Sequence, residues 1–312
     1  MTKRKWLRLL LATGLCLVGG TLSGYAAPPG PGKFYVVGTG PAGPEYATLK
    51  AIDTIKKADL VLSDPKMAER FQAHLKGKKV EDPWKELWHH QGKMWLELLP
   101  RLQPEERRSL VEQKVQQRDK FVQRIKGLLA RGKRVVLLDG GDPTVFSRSY
   151  WLLEGLDDEQ VEIIPGVGAL AASMAALKRP STGGGARFLA QTAGFSFFGK
   201  PDRDDLARNL AGLPGTLVVY MGLRDAEKIV AALKKFNPGD LPVAVVYFAG
   251  YRDKEKIVKG NLANILEKIA PEKEKFMGLI IVGRCLEGPR FPSPEVSQPA
   301  EPPPAEPVKD RK

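Results

Sequence analysis

The chain is poor in the residues from which redox and metal sites are made. Of its 312 residues, two are cysteine and three are histidine. Cys16 lies in an N-terminal segment expected to be removed, which leaves Cys285 alone. That excludes an intramolecular disulfide in the mature chain and a thiolate metal site. No Ser-His-Asp or metal-ligand spacing is found either. The longest apolar stretch, LRLLLATGLCLVGG, is short for a membrane span. Acid is also in deficit: 36 Asp and Glu against 49 Lys and Arg give a formal charge of +13. The expected partner is therefore anionic: a nucleic acid, a membrane surface or a polycarboxylate small molecule. A hydrophobic content of 43% with 27% charged residues places the chain among globular proteins, with length for two modest domains.

Both ends read as lying outside the fold. MTKRKW is a basic start, the apolar run follows, and TLSGYAA offers small residues that suit cleavage after Ala26. Residues 1–26 are expected to be an export signal and 27–32 a Pro-Gly linker, placing the protein in the periplasm or otherwise outside the cytoplasm. The alternative is an uncleaved N-terminal membrane anchor. Leu15 precedes Cys16 where a lipoprotein signal would need a small residue. From 287 to 312 the composition is Pro- and Glu-rich, as expected of a disordered tail.

Between these ends, β-like runs alternate with helical patterns. KFYVVG, DLVLSD, KRVVLLD and VEII read as strands, and PEYATLKAIDTIKKA and ALAASMAAL as helices. Residues 67–131 are mostly helical in pattern, with breaks near Pro83 and Pro100. After Arg179-Pro180 come RFLAQTAG, PGTLVVYMG, LPVAVVYFAG and MGLIIVG as strands, with DAEKIVAALKKF and NLANILEKIA as helices. The alternation predicts an α/β protein with largely parallel sheets, divided into units 33–150 and 151–286.

Two strands run into glycine turns that open toward helices. VVGTGPAGP fits the dinucleotide fingerprint G-x-G-x-x-G, and Asp64 follows at about the expected distance. Its company argues otherwise. Pro41 removes a backbone donor, and Glu45 places negative charge where a pyrophosphate would sit. The second turn, LLDGGDPTVF, again pairs glycines with an acid, Asp142. Two acidic glycine loops at parallel strand ends suit one crevice for a ligand with an amino group and a sulfonium.

These segments, with VEIIPGVGALAASMAAL, LPGTLVVYMGL, LPVAVVYFAG, VKGNLANI and MGLIIVG in that order, resemble the tetrapyrrole (corrin and porphyrin) methylases across about residues 33–283. The resemblance implies two α/β domains with a cofactor cleft between them, S-adenosyl-L-methionine as cofactor, an anionic tetrapyrrole or corrinoid precursor as substrate, and a homodimer. It also implies that Pro41, Gly140, Gly141, Asp142, Val145, Gly168, Ala169, Met221 and Ala249 contact the cofactor. Gly168 departs from the family's usual Thr or Ser and lacks its hydroxyl.

Methyl transfer from a sulfonium is an in-line displacement, so holding nucleophile and methyl in line is the main task. No catalytic side chain is singled out. Arg148 and Arg187 are candidate clamps for substrate carboxylates. The segment EDPWKELWHHQGKMWLELLP places Trp88, His89 and His90 on the substrate side, either stacking on or ligating a macrocycle or packing on the domain. An exported enzyme would lack a cytoplasmic cofactor. The alternative is therefore an exported, non-catalytic tetrapyrrole-binding protein. A flavin or nicotinamide oxidoreductase is the third reading, nucleic acid is not the expected partner, and a membrane is expected only through an uncleaved N-terminus.

Overall fold

The computed structural model describes residues 31–197, 205–212 and 214–291. The expected export signal lies outside the described residues, as does the tail from residue 292.

The first sheet has the order β3-β2-β6-β1-β7, with strands β1 (Phe34–Gly38), β2 (Leu60–Leu62), β3 (Lys79–Glu81), β6 (Val135–Asp139) and β7 (Val161–Ile164), all parallel. A two-stranded hairpin, β4 (His89–His90) and β5 (Lys93–Met94), stands apart from it. The central strands are apolar on both sides, as a sheet covered on both faces requires. Val36, Leu62 and Leu137 face one core and Val37, Val61 and Leu138 the other. Helices α1 (Leu49–Lys56), α2 (Pro65–Arg70) and α3 (Gln72–Leu75) flank the strands. The first two begin at side-chain caps: Thr48 Oγ1 accepts the Ala51 amide and Asp64 Oδ1 the Met67 amide, each at 3.0 Å.

Beyond β3 come the short α4 (Trp84–Leu87) and α5 (Trp95–Leu98), then the 26-residue α6 (Pro104–Leu129), opened by a Gln103–Glu106 capping box. α7 (Tyr150–Leu153) precedes β7. α8 (Ala169–Leu177) follows β7 and leaves the first sheet. Its Ala172, Met174 and Leu177 pack with Val218, Ala244 and Ile281 beneath the second sheet.

That sheet has the order β11-β10-β12-β9-β8, from β8 (Phe188–Ala193), β9 (Gly215–Tyr220), β10 (Pro242–Tyr247), β11 (Lys256–Asn261) and β12 (Gly278–Val282). Its opposite face carries α9 (Gly194–Phe197), α10 (Asp205–Leu210), α11 (Ala226–Lys234) and α12 (Ile265–Ile269), packed on Val219, Val243, Val245 and Ile280.

Three expectations are corrected, and one strand is new. The division at 150/151 moves to 165–168, because β7 pairs with β1 in the first sheet. The second sheet is mixed rather than parallel: β10 runs antiparallel to both its neighbours, and only β8 and β9 are parallel. KIVKGN, which has no strong alternation, forms the edge strand β11. The tail begins later than 287, since Arg179 Nη1 donates to Gly288 O at 2.6 Å and the Gly184 amide to Pro289 O at 3.3 Å. No helix among the described residues is long and apolar enough to cross a membrane.

Candidate functional site: a cleft between two sets of strand ends

Parallel strands deliver all their carboxyl ends to one edge, where an open α/β sheet binds its ligands. Here that edge carries Thr39-Gly40-Pro41 after β1, Asp64 after β2, Gly140-Gly141-Asp142 after β6 and Pro165–Gly168 after β7. Gly40 and Gly141 form a two-hydrogen-bond bridge, amide to carbonyl at 3.2 and 2.8 Å, and both take positive φ, +76° and +74°. Side-chain-bearing residues adopt that region at a penalty, so the bridge needs glycine. Gly166 fits against the same pair: a Cβ there would lie 2.2 Å from Gly141 O. Thr39 is buried and ties the first loop to the second, its Oγ1 donating to Asp139 O at 2.8 Å.

The second sheet presents its matching edge. Met221 follows β9 and Ala249 follows β10, while Gly194 opens α9 so close to Met221 that a Cβ would stand 2.6 Å from Met221 O. The edges meet directly. A Cβ on Gly250 would be 3.2 Å from Pro41 and 3.0 Å from the Tyr46 ring. The Phe146 and Tyr220 rings are 5.1 Å apart, and Arg70 lies 5.3 Å from the centre of the Tyr251 ring.

Electrostatics follow from the same placement. α8 starts at Gly168 without a side-chain cap, so its first amides open toward the cleft. A Cβ on Gly168 would be 3.5 Å from Asp142 Cβ, and Asp142 Oδ1 accepts from the Thr144 amide and hydroxyl at 3.0 and 2.8 Å. Tyr220 donates to Gln191 Oε1 at 3.0 Å. Burial pushes its phenol up to about 12; the Leu170 amide opposes the shift and the Asp142 charge adds to it. Tyr220 therefore stays protonated across the physiological range. Positive amides and a carboxylate side by side suit a zwitterion, and Ala249 is buried nearby in the core that α8 shares with the second sheet.

The sequence carries the family signature over most of this scaffold. A profile of the Tetrapyrrole (Corrin/Porphyrin) Methylases matches residues 33–266. The chain belongs to this family. Among similar proteins, the chloroplastic S-adenosyl-L-methionine-dependent uroporphyrinogen III methyltransferase of Arabidopsis thaliana is 33% identical over 204 residues, 62% of this chain and 47% of that one. The cobalt-precorrin-4 C(11)-methyltransferase of Methanocaldococcus jannaschii is 30% identical over 81% of this chain and 88% of its own. A solved uroporphyrin-III C-methyl transferase from Thermus thermophilus, complexed with S-adenyl homocysteine, superposes with a TM-score of 0.54 at 30% identity, covering 82% of this chain and 99% of that one. The chain spans about half the length of the first curated relatives it matches.

Within this methylase fold, the structure brings Pro41, Gly140, Gly141, Asp142, Val145, Gly168, Ala169, Met221 and Ala249 to the facing edges. The tryptophan segment is placed differently. Trp84, Trp88, Trp95 and Trp151 pack on one another with ring centres 5.7 to 6.3 Å apart, over the core of the first sheet. Trp88 is thus half-buried among indoles rather than open for stacking. His89 is exposed, its Nδ1 3.0 Å from Trp84 O; the half-buried His90 follows it in a two-residue strand, which turns successive side chains to opposite faces. Among the described residues, no three His, Cys, Asp or Glu side chains gather to hold a metal.

Neither arginine stands as a free clamp. Arg148 lies 4.1 Å over the Trp84 ring and 3.9 Å from Asp64 Oδ2. Burial pulls its pKa below the ordinary arginine value, while Asp64, Asp139 and Asp82 oppose the shift. Arg187 is exposed just before β8, at the edge away from the cleft. Asp64 caps α2 instead of waiting for a ribose. Sequence reasoning missed Tyr220, Phe146 and Asp139, whose carboxylate accepts from the hydroxyls of Ser147 and Ser149. Only their positions beside matched loops could have marked them.

Proposed function

We propose that the protein is an S-adenosylmethionine-dependent methyltransferase acting on a tetrapyrrole or corrinoid precursor. The observation that carries this reading is the joining of the Gly40–Gly141 bridge, the uncapped α8 and Asp142 with Met221 and Ala249 across one cleft. The α8 amides would hold the cofactor's carboxylate, while Asp142 and loop carbonyls would hold its ammonium. Met221, Val145 and Ala249 would cover its apolar parts and exclude water from the sulfonium. When bound, the cofactor supplies an electrophilic methyl group. The protein's part is to hold a ring carbon in line with it. Isothermal titration of the full chain with S-adenosylhomocysteine tests this: micromolar binding is expected, and no heat from folded protein would overturn it.

The basic and apolar start supports a further part of the proposal, that residues 1–26 export the protein or anchor it and that the cleft works outside the cytoplasm. The alternative to catalysis there is an exported tetrapyrrole-binding protein that uses the same cleft. Sequencing the first residue of protein recovered from its host decides cleavage, since a start at Ala27 is expected. A homodimer, as the family resemblance implies, would show as twice the chain mass in light scattering.

A further inference from the structure

Residues 82–98 leave the first sheet after β3, run through α4, the β4–β5 hairpin and α5, and return to α6. Trp84, Leu87 and Trp95 bury this excursion against the first domain, and two polar contacts of opposite character add to that packing. The inner one is buried: Lys114 on α6 is 2% exposed, and its Nζ donates to Glu86 O and His89 O at 2.7 Å and to Gln117 Oε1 at 2.9 Å. All three ammonium protons are used, so breaking this pin would strand a buried charge and two carbonyls. The outer contact is exposed and joins the two domains. Arg224 Nη1 donates to Glu97 Oε1 at 2.8 Å, with side-chain exposures of 59% and 40%. Arg224 comes three residues after Met221 and sits 5.9 Å from the centre of the Phe276 ring. Leu96 and Phe276, beside this contact, are large apolar side chains left 44% and 49% exposed.

We propose that residues 82–98 form a brace fixed to the first domain by Lys114 and the buried tryptophans, and that Glu97 on it latches the Met221 loop of the second domain through Arg224. The Glu97–Arg224 latch releases to admit a macrocycle and recloses to hold it beside the Met221 loop. The proposal rests on reading the cleft as the methyltransferase site. An exposed ion pair is weak and salt-screened, so it opens at low energy, whereas the buried pin and Trp95 keep residues 82–98 on their own domain. Leu96 on the first domain and Phe276 on the second leave apolar surface beside the latch that a flat ligand would cover.

Charge reversal in the full chain tests the latch. Glu97→Arg is expected to raise amide exchange in residues 221–226 about fivefold, although the substitution lies in the other domain. It should also raise KM for uroporphyrinogen III about fivefold while kcat changes less than about twofold. The double variant Glu97→Arg/Arg224→Glu should restore both. Lys114→Met should instead loosen residues 84–98 and leave 221–226 protected. Unchanged exchange at 221–226 in Glu97→Arg, or no recovery in the double variant, overturns the latch. Exchange needs no activity, so the latch is decided even if wild type fails to bind S-adenosylhomocysteine and the methyltransferase reading falls.

Discussion

The two domains turn their chains at the cleft by different means. In the first, the left-handed turns that form the inter-loop bridge are made by Gly40 and Gly141, so what faces the ligand there is backbone. In the second, the equivalent strand ends use residues that carry side chains: Met221 and Phe248 have φ of +50° and +47°. Glycine makes such a turn without strain. A methionine or phenylalanine makes it at about 1 kcal/mol or more and persists only where its neighbours hold it. At these positions one wall brings peptide groups close and the other presents apolar side chains; Phe146 (φ +55°) and Gly250 (φ +83°) are the exceptions on each side. A ligand with a polar end and an apolar body is served by that division.

The comparison breaks most readily at the first wall. Gly166 does not need a positive φ, but a Cβ there would fall 2.2 Å from Gly141 O and 2.8 Å from Gly38 C. Those are main-chain atoms, so three loops must shift together. Gly166→Ala is expected to destabilise the protein by about 3 kcal/mol in denaturant titration and to abolish cofactor binding. Gly140→Ala is the control, because its Cβ would meet only Met67 Cε at 3.6 Å. Equal stability of the two variants would show that the loops are not locked as described.

The second wall should respond in the opposite sense. Met221→Gly relieves the left-handed strain and loses a half-buried side chain, so stability should stay within about 1 kcal/mol of wild type. Affinity for S-adenosylhomocysteine should nevertheless fall about tenfold if the side chain makes the proposed cofactor contact. Both quantities can be read on one sample by calorimetry and thermal unfolding. A clear loss of stability with affinity kept would make Met221 a packing residue and remove the contrast.

The two walls were also unequally legible in the sequence. The first sheet could be read from strand-glycine-helix repeats, since a parallel strand buried on both faces is a continuous apolar run such as YVV or VVLL. The second was misread as parallel because a buried antiparallel strand such as PVAVVY carries the same signal, and its partner KIVKGN carries almost none. The domain boundary was missed for a similar reason: VEII and ALAASMAAL look like one unit, yet β7 stays with the first sheet while α8 packs under the second. Of the cleft, Met221 and Ala249 were found only through family resemblance. Tyr220 and Arg224 were not found at all, because their roles depend on Asp142, Leu170 and Glu97, far away in sequence.

The smallest expected effect separates the domains by how each holds a carboxylate. In the first, Glu81 accepts from Arg124 and pairs with Lys79, and the arginine chiefly holds its pKa below the usual glutamate value. In the second, Glu274 accepts from the Met277 and Phe276 amides at 2.7 and 2.6 Å, and those amides lower its pKa. For both groups the folded pKa lies below the unfolded one. The unfolded chain therefore binds the extra proton, and the stabilisation is fully present above about pH 4.3 and is lost as pH falls through the folded value. Glu81→Gln and Glu274→Gln should each lower the unfolding midpoint at neutral pH and converge with wild type in acid. Added salt should shrink the Glu81 difference, because it screens one half-exposed charge from another, and should spare the Glu274 difference, because amide hydrogen bonds do not depend on counter-ions. Equal salt sensitivity of the two would mean that Glu274 is held by a cation instead, and the domains would not differ in this respect.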